Sequence, residues 1–302
     1  MRICVFGAGS LGSAVGGMLA SHHEVVLVGR KANVSPIAED GLRIRGVVSR
    51  TVKLDASDSV KDFAPPDLLI VATKAYSTSS VVDACSGWIS GDTKVLTLQN
   101  GLGNLEKLRA WRGDRAIGGT TTMGASLVAP GIVRIAGIGK TIVGSELDPN
   151  AASKVSSAFR SAGIPAVTRR EIHSEIWAKA IVNASINPLT AILRIPNGDL
   201  IESRTLSRLM AEICSECESV AEASAITLPV KSMYRRARSV ARETAGNRSS
   251  MLRDIELGRR TEIDCINGHL CRSGEVAGVP TPLNNALVSM IKSLEAGTSE
   301  KA

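Results

Sequence analysis

Six residues near the start of the chain restrict its fold more than any others. Residues 2–6 are a short apolar run of strand type, which leads without a spacer into Gly7-Ala8-Gly9-Ser10-Leu11-Gly12 and then into residues 13–21, which read as a helix. Strand, GxGxxG and helix in that order is the context in which this motif binds a dinucleotide. Gly7 permits the tight turn, Gly9 lets a pyrophosphate approach the backbone, and Gly12 lets helix and strand pack closely. The helix N-terminus then offers free N–H groups to the phosphates. A bare GxGxxG is a weak signal, whereas one at residue 7 between a first strand and a helix is a strong one. Residues 24–28, EVVLV, supply the second strand of an ordinary βαβ unit.

The ends of the following strands carry the next candidates. A site selective for NAD places Asp or Glu after the second strand, where it holds the ribose 2′-hydroxyl. This chain has Gly29-Arg30-Lys31 there. Two cations and no carboxylate suit a 2′-phosphate, so NADP(H) is favoured over NAD(H); the alternative is that Arg30 and Lys31 are ordinary loop charges. Residues 67–73, DLLIVAT, read as a buried parallel strand ending in Lys74, a candidate cofactor or substrate contact by the switch-point rule. Residues 94–98 form the next strand and end in Gln99-Asn100-Gly101. Asn100 is placed either to reach the nicotinamide or substrate or to cap the helix that follows. Residues 116–122, 125–128, 132–135 and 141–143 read as further strands separated by glycine turns, which predicts antiparallel strands at the end of the sheet. Residues 151–162 read as a helix. After Val167 long helical patterns replace strand signals, which predicts domains over 1–167 and 168–302.

The second part opens on residues 171–187, EIHSEIWAKAIVNASIN. Ile172, Ile176, Ile181 and Ile186 recur at helical spacing, and Pro188 is expected to limit the helix. Lys179, Asn183 and Asn187 stand four residues apart and share one face. Such a stripe on an apolar helix faces solvent, ties the helix to its neighbours, or lines a site. Residues 187–190 and 195–198 read as polar turns. Helices are expected over 204–225, 230–244, 249–257, 262–277 and 281–296. Ser250 and Glu262 would lie about 18 Å apart on one continuous helix. A break at Gly258 lets both approach one pocket, and Thr261 with Asp264 has the spacing of a capping box for the next helix.

Composition narrows the class. Hydrophobic residues make up 44% and charged residues 22%, as in a soluble globular protein. With three Trp, two Tyr and three Phe, the core must be aliphatic. The sequence has no apolar run long enough for a transmembrane helix and no signal peptide, so no membrane role and a cytoplasmic location are expected. Cys214 and Cys217 form a C-x-x-C inside a helical pattern with no second pair at zinc spacing, so no metal site is expected. The net charge of +7 has its densest cluster in residues 231–242. Without an aromatic-rich surface or a nucleic-acid module this reads as a solvated face, and no nucleic-acid partner is expected.

Several segments together resemble one family. KAIVNASINPLTAI, PNGDL and NRSSMLRDIELGRRTEIDCING, with GAGSLG, VATKAY and LQNGLGN, closely resemble the ketopantoate reductases (2-dehydropantoate 2-reductases) over nearly the whole chain. The resemblance implies an α/β Rossmann-type N-terminal domain and an all-α C-terminal domain like that of 6-phosphogluconate dehydrogenase. It also implies NADPH-dependent reduction of ketopantoate to (R)-pantoate, on the route to pantothenate and coenzyme A. Carried over position by position, it makes Lys179 the catalytic acid and Glu262 its supporting glutamate. Asn100, Asn183, Asn187, Asn197, Asn247 and Ser250 become substrate-site positions. Gly7, Ala8, Gly9, Ser10, Leu11, Gly12, Arg30, Lys74 and Asn100 become cofactor-site positions. Within GTTTMGA, Met123-Gly124 departs from the family pattern. The expected partner is a small 2-oxo acid, and a homodimer is an assembly left open. The alternatives are a reductase of another 2-oxo acid on the same fold and a non-catalytic NADPH-sensing protein.

Overall fold

The computed structural model describes residues 1–299. They form two compact units: Met1–Gln99 with Asn104–Ile172, and Asn100–Gly103 with the chain from His173 onward. The division after Ile172 falls close to the change of sequence pattern. The assignment of Asn100–Gly103 to the helical unit is a long-range feature that no local pattern announces.

The first unit begins β1 (Arg2–Phe6), α1 (Ser10–Leu19), β2 (Glu24–Val28), α2 (Lys31–Asp40), β3 (Leu42–Gly46), β4 (Arg50–Val52) and β5 (Asp55–Ser57). It continues through β6 (Leu68–Val71), α3 (Thr78–Cys85), β7 (Lys94–Thr97), α4 (Asn104–Arg112) and β8 (Ala116–Thr121). It closes with β9 (Gly124–Ala129), β10 (Ile132–Gly137), β11 (Thr141–Gly144), α5 (Pro149–Ser161) and β12 (Ala166–Thr168). The main sheet has the order β12-β11-β8-β7-β6-β1-β2-β5. It is parallel from β8 to β5, and β11 runs antiparallel to β8. This is the doubly wound arrangement, whose strand order reverses between β1 and β6. In sheets of this kind ligands bind outside the carboxyl ends of the strands that flank such a reversal. The central strands are buried on both faces and are accordingly continuous runs of Val, Ile and Leu.

The β9–β10 hairpin, expected at the end of this sheet, belongs instead to a second sheet of order β4-β3-β10-β9, in which β10 pairs parallel with β3. The reason lies in α1, which is buried at every position from Gly12 to Leu19 and so needs cover on both sides. One side meets the main sheet, where a Cβ on Gly16 would sit 3.1 Å from Leu27. The other meets β3, where a Cβ on Gly17 would sit 2.7 Å from Leu42.

The second unit is helical: α6 (Ile172–Leu193), α7 (Asp199–Glu202), α8 (Arg204–Ala223), α9 (Met233–Glu243), α10 (Ser250–Glu256), α11 (Asn267–Ala277) and α12 (Pro282–Ser299). Among the described residues α6 alone is long and apolar enough to cross a membrane, but 72% of that stretch is buried within the protein, as in a core helix. Trp177, Ile181, Ile186 and Leu189 of α6 pack with Ile213 and Val220 of α8 and with Leu252, Leu270 and Ile291. Cys214 and Cys217 are fully buried in the same core, where burial pushes the Cys214 thiol up to about 12, and they pack as small apolar groups.

Contrary to expectation, Pro188 does not end α6, which runs on through Leu193. Proline lacks the N–H that would bond to the carbonyl four residues earlier, that of Ala184. The fully buried Asn267 of α11 supplies the missing donor, its Nδ2 lying 3.1 Å from Ala184 O. The Thr190 hydroxyl adds bonds to Ile186 O and Asn187 O at 3.0 Å each. A second correction concerns the capping box. Thr261 Oγ1 accepts the Ile263 N–H at 3.2 Å, but the Asp264 carboxylate turns to Lys292 and Arg260, at 2.8 and 3.3 Å.

Candidate active site

In the first unit the glycine turn joins β1 to α1 at the point where strand order reverses. Gly7 has φ +125°, and a Cβ there would lie 2.7 Å from Ala72 C and Thr73 N, so only glycine fits. A Cβ on Gly12 would lie 1.9 Å from Gly7 O, which enforces the close approach of helix to turn. Gly9 is different, because a Cβ there meets nothing within 4 Å. Protein packing does not require that glycine; the open space lies over the first turn of α1, whose N-terminus has no side-chain cap. A free helix terminus beside a side-chain-sized gap fits a phosphate group.

The rest of the loop is fixed from below. Ala8 is buried, and its carbonyl accepts Asn33 Nδ2 at 3.0 Å. The Ser10 hydroxyl accepts the Leu127 N–H at 2.9 Å, which leaves its O–H as well as its backbone N–H able to donate to a ligand. Arg30 and Lys31 are exposed where β2 passes into α2, and no carboxylate stands at that position. Lys74 is partly buried just after β6, and its carbonyl accepts Gln99 Nε2 at 3.3 Å.

In the second unit the cationic and anionic candidates act on each other electrostatically. Lys179 is partly buried on α6. Burial pushes its pKa down from 10.5 to about 8, while the neighbouring Glu262 carboxylate acts in the opposite direction. Glu262 is 5% exposed and precedes the 3₁₀ turn Ile263–Cys265. Asn100 Nδ2 donates to Glu262 Oε2 at 3.1 Å, across 162 residues of chain. The segment after Asn100 is secured to the same 3₁₀ turn, because the Leu102 N–H bonds to Cys265 O at 2.9 Å. Gly258, at φ +60°, lies between α10 and this turn, so the helix holding Ser250 stops well before Glu262.

One and two turns beyond Lys179, Asn183 and Asn187 make no side-chain hydrogen bond to a described residue, although Asn187 is only 7% exposed. They therefore do not tie α6 to its neighbours. Asn187 is buried and Asn183 half-buried, and a buried amide without a protein partner is a place for ligand or water. Asn197 and Asn247 form a second group: the Asn197 N–H bonds to Asn247 O at 3.0 Å and Asn197 Nδ2 to Thr244 Oγ1 at 2.9 Å, and the buried Asn197 Oδ1 has no partner among the described residues. Ser250 is exposed at the first position of α10.

Ser249 and Thr190 also help to position α10. Ser249 caps α10 by accepting the Leu252 N–H at 3.1 Å, and the Thr190 and Ser249 hydroxyls are 2.8 Å apart, which fixes the start of α10 against α6. The sequence signal for this is the Ser-Ser pair before MLRDIE, whose first serine serves as the cap.

Comparison with known proteins places this arrangement. The family described as "Ketopantoate reductase PanE/ApbA" matches residues 3–147, and its C-terminal counterpart matches residues 171–295. The chain belongs to the ketopantoate reductase family. It is 38% identical over 306 residues to the 2-dehydropantoate 2-reductase of Pyrococcus abyssi, covering 100% of both chains. It is 36% identical to that of Archaeoglobus fulgidus, covering 98% of both. A PanE/ApbA family ketopantoate reductase from Ralstonia eutropha superposes with a TM-score of 0.92 at 30% identity, covering 99% of this chain and 100% of that one. D-mandelate dehydrogenase with NADH and anilino(oxo)acetate superposes with a TM-score of 0.93 at 31% identity, with the same coverage. The chain is thus an oxidoreductase with a Rossmann-type α/β domain followed by a helical domain, as the resemblance implied.

Proposed function

We propose that the protein reduces 2-dehydropantoate to (R)-pantoate with NADPH, a step towards pantothenate and coenzyme A, and that Lys179 is the general acid. The observation that carries this reading is a partly buried lysine under the electrostatic influence of a buried carboxylate, followed on the next two turns of one helix by asparagines that have no hydrogen-bond partner among the described residues. When bound, the reduced nicotinamide supplies a hydride to the substrate's carbonyl carbon. The carbonyl oxygen then gains negative charge, and Lys179 Nζ both stabilises that charge and delivers the proton that completes the hydroxyl. Glu262 favours the ammonium form of Lys179, and Asn100 holds the Glu262 carboxylate. Asn183 and Asn187 offer uncharged donors and acceptors suited to the substrate's hydroxyl and carbonyl groups. Ser250 is a donor for its carboxylate, and Asn197 and Asn247 shape the pocket.

On the cofactor side, the backbone from Gly7 to Gly12 holds the pyrophosphate, and Arg30 with Lys74 holds the 2′-phosphate. The absence of a carboxylate after β2 supports NADPH, whereas the NADH in the mandelate dehydrogenase structure supports the other nucleotide. That same neighbour favours a second reading, a reductase of another 2-oxo acid sharing Lys179 and Glu262. Lys179→Ala tests the chemistry. It is expected to lower kcat with ketopantoate at least ~10²-fold while NADPH affinity is retained; full turnover in that variant would remove Lys179 from the mechanism.

A further inference from the structure

One buried amide joins most of the polar groups beneath the cofactor loops of the first unit. Gln99 follows β7, with its backbone N–H on Thr97 Oγ1 at 3.2 Å. Its Oε1 accepts the Thr97 hydroxyl at 3.1 Å and lies 3.2 Å from Thr78 Oγ1. Its Nε2 has Thr78 Oγ1, Thr73 Oγ1 and Lys74 O in reach, at 3.0, 3.1 and 3.3 Å. The Thr78 hydroxyl in turn reaches Asn104 Oδ1 and Ala75 O, each at 2.8 Å. Thr78, Thr97, Gln99 and Asn104 are all buried. The amide thereby ties the turn after β6 to β7, to the start of α3 and to the start of α4. That turn is the wall against which Gly7 packs, since Ala72 and Thr73 backbone atoms occupy the space a Gly7 side chain would need. It also carries Lys74.

An apolar side chain at position 99 could fill the same volume but could not fix the height of the Thr73–Lys74 peptide. Hydrogen bonds with defined partners do so, and a buried network whose members are mutually bonded is rigid. We propose that Gln99 is a positioning residue for cofactor binding: it holds the Thr73–Lys74 turn against the glycine loop and so sets where Lys74 presents its charge to the 2′-phosphate. The proposal rests on the reading of Gly7–Gly12 and Lys74 as an NADP(H) site.

The test measures dissociation constants for NADPH and NADH, kcat at saturating NADPH, and melting temperature. It uses the full-length protein and its Gln99→Leu, Lys74→Ala and doubly substituted variants. Gln99→Leu is expected to weaken NADPH about tenfold, as loss of the partner of buried polar groups does, with a much smaller effect on NADH and little change in kcat. In the Lys74→Ala background the same substitution should add less than about twofold, because the two residues act through one contact. Losses that multiply, equal losses for both nucleotides, or a fall in kcat at unchanged affinity would overturn the positioning role alone. If Gln99→Leu does not fold, Thr73→Val removes one acceptor from the same amide and carries the same expectation and the same refuting results. A parent protein that does not bind NADPH, or a Lys74→Ala variant with full NADPH affinity, would instead overturn the cofactor reading and the proposal with it.

Discussion

The protonation state of Lys179 makes the sharpest demand on the proposed mechanism. Its pKa falls from 10.5 to about 8 through burial, against the pull of Glu262. At 1.36 kcal/mol per pH unit, that fall is a bias of roughly 3 kcal/mol against the ammonium form. The ammonium is the acid in the reductive direction, so activity must be lost as pH rises through the pKa. About nine-tenths of the lysine is charged at pH 7 and about one-tenth at pH 9, which follows from a pKa near 8. Measured as kcat/KM for the 2-oxo acid, which reports the free enzyme, the profile should be flat below pH 8. Above it the profile should fall tenfold per pH unit. Oxidation of the hydroxy acid needs the neutral amine and should rise through the same range. In Glu262→Gln the carboxylate that favours the ammonium is gone and only the burial penalty remains. The bend should then move down by about one pH unit or more, the effect of losing an opposite charge nearby. Part of that variant's deficit at pH 7 should return at pH 6. A bend at the same pH in wild type and Glu262→Gln, or one that persists in Lys179→Ala, would refute the assignment of the titrating group.

Arg30→Ala should raise KM for NADPH about tenfold or more and leave NADH nearly unchanged, as expected for loss of a phosphate contact; steady-state kinetics with both nucleotides would expose equal losses, which count against the 2′-phosphate role. Gly9→Ala should leave the melting temperature within a few degrees of wild type, because its Cβ meets nothing within 4 Å, while weakening nucleotide binding. If affinity in a fluorescence titration is unchanged, the gap over α1 is not a phosphate site. Asn267→Leu strands the Ala184 carbonyl beneath Pro188 and should cost about 1–3 kcal/mol in denaturant unfolding. An unchanged midpoint would mean that the helix tolerates the proline unaided.

What the sequence disclosed, and what it concealed, divides by range of interaction. The β1–glycine–α1 unit was legible because every constraint on Gly7 and Gly12 comes from a short βαβ context and the adjoining strand. Lys179 and its two asparagines are legible as a stripe because helical spacing is local. The Asn100–Glu262 hydrogen bond is not legible, because it joins residues 162 apart in the chain. The expected end of α6 at Pro188 fails for the same reason. The proline's usual effect on a helix is local, whereas the donor that relieves it comes from Asn267, a different helix. The β9–β10 hairpin was recognised, but its sheet was not, because β3 pairs with it only when α1 needs cover on its outer face. The substrate-site roles proposed for Ser250, Asn197 and Asn247 come from the family resemblance, since spacing alone does not suggest them.

Initial rates with a panel of 2-oxo acids, each offered with NADPH and with NADH and followed by loss of the reduced nicotinamide's absorbance, test the central claim most directly. Ketopantoate with NADPH should give a kcat/KM at least about tenfold above any other pairing, a margin of roughly 1.4 kcal/mol in transition-state binding. A higher value for another acid, such as the aryl 2-oxo acid that corresponds to mandelate, or for ketopantoate with NADH, would contradict it.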